Sequence, residues 1–97
     1  MNIYNYQIPP KGEIFDTLLE DKNIKINRIV SSDILDDELY IQDEDEWVVL
    51  IKGSATIEMD GREIYLKSGD TLFIPSKTPH RVVKTQRDTL WLCIHIL

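Results

Sequence analysis

The sequence predicts an all-β fold, a small sandwich or barrel of about eight short strands with one short helix near the start. Three observations predict it. Short runs rich in β-branched and aromatic residues recur, with turn signals about every eight to twelve residues. Asp60-Gly61 stands between two such runs, Ser54 to Met59 and Arg62 to Leu66. That pair is a strong hairpin signal, because both positions of the tight turn need positive φ. Finally, Ile24 to Val30 alternates between two faces, as a half-buried strand does.

Taken in order, Asn2 to Ile8 alternates polar and apolar residues and is expected to form an edge strand, stopped by Pro9-Pro10. Glu13 to Glu20 is expected to form the helix. Ile14 and Leu18 are four apart, as are Phe15 and Leu19, which gives one apolar face. Ser31 to Glu38 is an acidic loop, and Leu39 to Gln42 a short strand. Asp43-Glu44-Asp45 is an acidic turn, either solvated or a cation-attracting rim. Glu46 to Lys52 is the most apolar strand, with Glu46, Val48 and Leu50 on one face and Trp47, Val49 and Ile51 on the other. Both faces read as buried, by a second layer or by a partner subunit. Thr71 to Ile74 is a strand that Pro75 ends, since proline has no N–H to donate. Pro79 fixes the backbone before His80, which opens a strand running to Thr85. Leu90 to Ile96 is the last strand, again apolar on both faces.

Ninety-seven residues read as one domain, 1–97. The chain carries 11 basic and 17 acidic side chains, net −6. That balance argues against nucleic acid, whose phosphates need lysine and arginine, and against an anionic membrane surface. The lone cysteine, Cys93, excludes an intrachain disulfide and reads as a buried, inert thiol. No apolar run reaches the ~20 residues of a membrane span, and no signal peptide is legible, so the expected location is cytoplasmic.

Two stretches carry the chemistry. In one, Glu46 opens an apolar strand that closes on Gly53. In the other, Gly69, Pro75 and His80 follow one another at fixed spacing between strands. Together they resemble the two motifs of the cupin family, a Glu with a Gly seven residues on, then a Gly, a Pro six residues on and a His five further. The resemblance spans Leu39 to His95. It implies a small cupin-like barrel, a double-stranded β-helix or jelly roll, with a site in the barrel mouth. The family's two motif 1 histidines fall at Tyr40 and Gln42 here. The glycine after the motif 2 proline falls at Lys77, and that motif's terminal asparagine at Lys84.

Candidate ligand-binding residues are Tyr40, Gln42, Glu46, His80 and Trp91, and candidate metal ligands are Glu46, His80, Gln42 and His95. Histidine is the commonest metal ligand. A glutamate in so apolar a strand should not be buried unpaired. Tyr40 and Gln42 alternate and so share a face. His95 shares a face with Trp91 and Cys93, so that Glu46, His80 and His95 form a conceivable iron triad. Three functions are expected in competition. The first is a module binding a divalent metal (zinc, iron, manganese or nickel, weakly held if at all) or a small polar molecule. The second is a metal-dependent dioxygenase, isomerase or lyase. The third is a metal-free ligand sensor or stability partner. The surplus apolar strand faces imply a homodimer.

Overall fold

The computed structural model describes residues 1–97. Eight strands follow one another: β1 (Glu13–Asp21), β2 (Ile24–Ser31), β3 (Asp45–Lys52), β4 (Ser54–Met59), β5 (Arg62–Lys67), β6 (Thr71–Ile74), β7 (His80–Thr85) and β8 (Thr89–Ile96). They form two antiparallel sheets, a five-stranded one in the order β1-β2-β8-β3-β6 and a three-stranded one in the order β5-β4-β7. Val48, Leu50, Ile74, Trp91 and Cys93 from the larger sheet pack against Ala55, Ile57, Met59 and Leu66 from the smaller. This cluster lies between the two sheets.

The chain has no helix, and so none long and apolar enough to cross a membrane. The expected helix at Glu13–Glu20 is strand β1 instead. Its register explains the misleading pattern. Glu13, Phe15 and Thr17 pair with Ser31, Ile29 and Asn27, then a bulge at Leu18 resets the alternation so that Leu19 pairs with Ile26. A bulge inside a strand breaks the period of two and can mimic the spacing of a helix. An isolated helix this short is also marginal in water, whereas β1 covers the otherwise open edge of β2.

The expected strand at Asn2–Ile8 is absent as well. Asn2 instead makes a local turn, its Oδ1 accepting from Tyr4 N at 2.8 Å. The Arg28 guanidinium then takes the carbonyls of Ile3 and Asn5 (3.3 and 3.0 Å), which a sheet partner would have used. The short strand expected at Leu39–Gln42 reduces to a single bridge, Tyr40 to His80.

The β4–β5 hairpin forms as expected, with φ of 53° at Asp60 and 73° at Gly61. On β3 the face bearing Glu46, Val48 and Leu50 is buried, as expected. The opposite face is only half covered, and Trp47 is 37 % exposed.

Candidate functional site

A cavity of about 210 Å³ opens between the sheets at the ends of β3, β7 and β8. Tyr40, Gln42, Glu46, His80, Trp91 and His95 all line it. Strand register brings them together. His95 on β8 lies directly across from Glu46 on β3, and alternation puts Trp91, Cys93 and His95 on one inward face. Tyr40 and His80 exchange backbone hydrogen bonds (2.8 and 3.0 Å), which stacks their rings with centroids 5.9 Å apart. The backbone N–H of Lys77 donates to the Gln42 carbonyl, fixing Gln42 over the same mouth.

His80 is 6 % exposed, and its Nδ1 lies 3.0 Å from the Thr78 carbonyl. A carbonyl only accepts, so Nδ1 carries a proton and the neutral ring keeps a lone pair on Nε2. His95 sits between two acids. Its Nδ1 is 3.3 Å from both Gln42 Nε2 and Glu44 Oε1, and its Nε2 is 3.9 Å from Glu46 Oε2. Gln42 Nε2 also donates to Glu44 Oε1 at 3.3 Å. A backbone hydrogen bond, with help from Gln42 and His95, holds the Glu44 carboxyl below the usual range.

The Glu46 side chain is 8 % exposed, and no lysine or arginine pairs with it. Burial pushes the Cys93 thiol well up, and the Glu46 carboxylate beside it adds to the effect. Trp91 is buried, and its Nε1–H donates to Ser31 Oγ at 3.0 Å. The Ser31 hydroxyl donates in turn to Glu13 Oε2. Tyr40 is pushed up to about 12, first by burial and then by the nearby Glu38 and Glu13 carboxylates.

Two acidic residues of the cavity are not among the site candidates of the sequence reading. Glu13 enters because β1 is a strand whose first residue turns inward, and burial raises its carboxyl. Glu44 belongs to the acidic turn, whose reading as a rim left open which acid faces the cavity; Glu44 does.

Cupins often bind a metal, and the donor set here does not fit one. No group of three or more His, Cys, Asp or Glu side chains is placed to hold a metal ion. Glu46, His80, Gln42 and His95 share a cavity without forming a coordination shell, His95 being tied to Gln42 and Glu44 on its Nδ1 side.

Fold and site together define a small antiparallel β-barrel with buried polar groups at one mouth. Residues 38–95 match the Cupin domain family, and the chain belongs to that family. It is similar, with 35 % identity and a TM-score of 0.88, to a Ralstonia eutropha structure described as a "putative mannose-6-phosphate isomerase", over 99 % of this chain and 95 % of that one. An RmlC-like cupin protein from Desulfovibrio desulfuricans shares the fold at 18 % identity and a TM-score of 0.84, over 98 % of this chain and 92 % of that one. So does a cupin superfamily protein from Desulfitobacterium hafniense, at 17 % identity and a TM-score of 0.81, over 98 % and 86 %. No curated protein matches the chain significantly.

Proposed function

We propose that the protein binds a small polar molecule in the mouth of the barrel. Glu46, His80, Gln42, Tyr40 and His95 provide the polar contacts and Trp91 the apolar floor. One observation carries this reading. Glu46 and His80 are each 6 % exposed, yet both turn polar groups toward a cavity that no protein side chain fills. Burying a carboxylate without a close partner is costly, and a bound ligand relieves that cost. The cavity, about 210 Å³, lies below the ~300–1,000 Å³ of pockets for drug-sized molecules, so the ligand is a small metabolite.

Amide-resolved NMR titration with a panel of small polar metabolites tests the proposal. Binders should shift the amides of Tyr40, Gln42, Glu46, His80, Trp91 and His95, and His80→Ala should weaken them. A panel that leaves these amides unmoved overturns the proposal. Metal binding is the competing proposal, with His80 and Glu46 as ligands and Gln42 or His95 as a third contact. The donor set weighs against it, so elemental analysis of tag-free protein should give substoichiometric zinc, iron, manganese and nickel. Stoichiometric metal that is lost in His80→Ala would replace the metal-free reading.

The 35 % identity to the Ralstonia eutropha structure favours a second reading, an isomerase using the same cavity. Glu46 and His80 would then move a proton between adjacent positions of the substrate. Turnover of mannose 6-phosphate that Glu46→Gln abolishes would support it, whereas turnover surviving in that variant would not.

A further inference from the structure

We infer that the ligand of this cavity is a small organic cation, an amine-bearing molecule with a short apolar body, and not a sugar phosphate or carboxylate. The inference rests on the binding reading above and adds the ligand's charge. Three carboxylates line the cavity, Glu13, Glu44 and Glu46, together with two histidines and no lysine or arginine. Even with both imidazoles protonated, the lining would carry one net negative charge. Proteins recognise phosphate with arginine, lysine or a helix N-terminus. This cavity has neither base, and the chain has no helix.

Glu46 is the second, independent observation. Its side chain is more than nine-tenths buried, it faces the cavity, and its polar neighbours there are the Cys93 thiol and His95 Nε2 at 3.9 Å, with no lysine or arginine in the lining. An ammonium group within reach of Glu46 would supply the counter-charge that the fold omits. Trp91 and Tyr40 line the same space, and an aromatic ring beside a desolvated cation attracts it further. Asp36, Asp37 and Glu38 line a smaller adjoining recess that shares Glu13 and Tyr40 with the cavity. Their field, on a chain of net charge −6, draws cations toward the opening and repels anions.

The test uses butylammonium, n-butanol and butyrate, which share one carbon skeleton and differ in charge, with mannose 6-phosphate as a fourth probe. Binding is followed by NMR at the six cavity amides. Butylammonium should bind at least about tenfold more tightly than butanol, the order of one charge-assisted hydrogen bond. Its affinity should fall with added salt while that of butanol does not. Glu46→Gln should bring butylammonium to the butanol level while butanol still binds, which shows the variant to be folded. Should that variant not fold, the salt dependence of the wild type decides. Butyrate or mannose 6-phosphate binding as tightly as butylammonium overturns the charge inference and leaves the cavity a binding site. If none of the probes moves the cavity amides, the inference fails together with the binding reading.

Discussion

Tyr40 and His80 set the character of the site at the scale of single residues. Tyr40 occupies a position where the cupin family places a histidine, so a possible ligand is replaced by a ring that stacks on His80. Burial, and then the Glu38 and Glu13 carboxylates, the first of which accepts from the Tyr40 phenol at 3.3 Å, push that phenol up to about 12 from its ordinary value of 10.0. The folded protein therefore holds this proton more tightly than the unfolded chain does. The resulting stability is present below the unfolded value and is lost as the pH rises through the folded one. In absorbance titrations, the difference between wild type and Tyr40→Phe should show little phenolate at pH about 11, where a free tyrosine is mostly ionised. Ionisation at the ordinary value would mean that the phenol is neither buried nor beside the acids. The cupin resemblance together with strand alternation made six cavity residues legible, because motif register and alternation suggest direction as well as position. Glu13 was not legible, since its inward turn depends on β1 being a strand, and the bulge at Leu18 conceals that.

At the scale of the element, the motif glycines do different work. Gly53 has a φ of +96°, and a Cβ there would lie 2.6 Å from Thr89 Oγ1 and 3.0 Å from Thr89 Cα. Thr89 cannot retreat, because its Oγ1 donates to the Gln86 carbonyl at 2.6 Å at the start of β8. Gly69 has a φ of +91° but open space around its Cα. Gly53→Ala should thus destabilise by about 2–4 kcal/mol, from strain plus clash, and Gly69→Ala by about 1–2 kcal/mol from strain alone. Thermal melts compare the two, at roughly 4–8 °C per kcal/mol for a domain of this size. Equal losses would mean that the approach of Thr89 to Gly53 is unimportant.

Lys77 is a further case. It stands where the family has glycine, yet it keeps a left-handed φ of 59°, because its N–H must reach the Gln42 carbonyl. Lys77→Gly should raise stability by about 0.5–1 kcal/mol, and a loss in the same melts would show that the left-handed turn carries no strain. The sequence reveals the glycine positions but not which of them a neighbour crowds, because crowding depends on the β3–β8 approach.

At the scale of the whole molecule, the outer face of the larger sheet remains to be explained. Register lines up Ile26, Ile94, Trp47 and Phe73 in one row across β2, β8, β3 and β6. Trp47 and Phe73 are 37 % and 50 % exposed, and Ile24 and Ile96 at the border are 39 % and 43 % exposed. The chain covers part of this face itself. Arg28 points outward, is 6 % exposed, pairs with Asp16 at 2.8 Å and holds the N-terminal segment through the Ile3 and Asn5 carbonyls, with its guanidinium 5.7 Å from the centre of the Tyr6 ring. The row ending in Trp47 and Phe73 has no such cover. A contiguous exposed apolar patch marks an interaction surface. A row that runs across the sheet suits a two-fold contact, in which the same patch meets itself. We therefore propose a homodimer through this face. Sedimentation at micromolar concentration should give twice the 11.3 kDa chain mass. Trp47→Asp should give the chain mass with a retained β-type circular dichroism spectrum, because a buried unpaired carboxylate costs several kcal/mol in the interface, more than the loss of the partial packing of Trp47 in the monomer. A wild type that sediments at the chain mass rejects the dimer. A Trp47→Asp variant that remains dimeric moves the interface elsewhere, with the β1 edge, where Phe15 and Leu19 are 51 % and 49 % exposed, as the next surface to substitute.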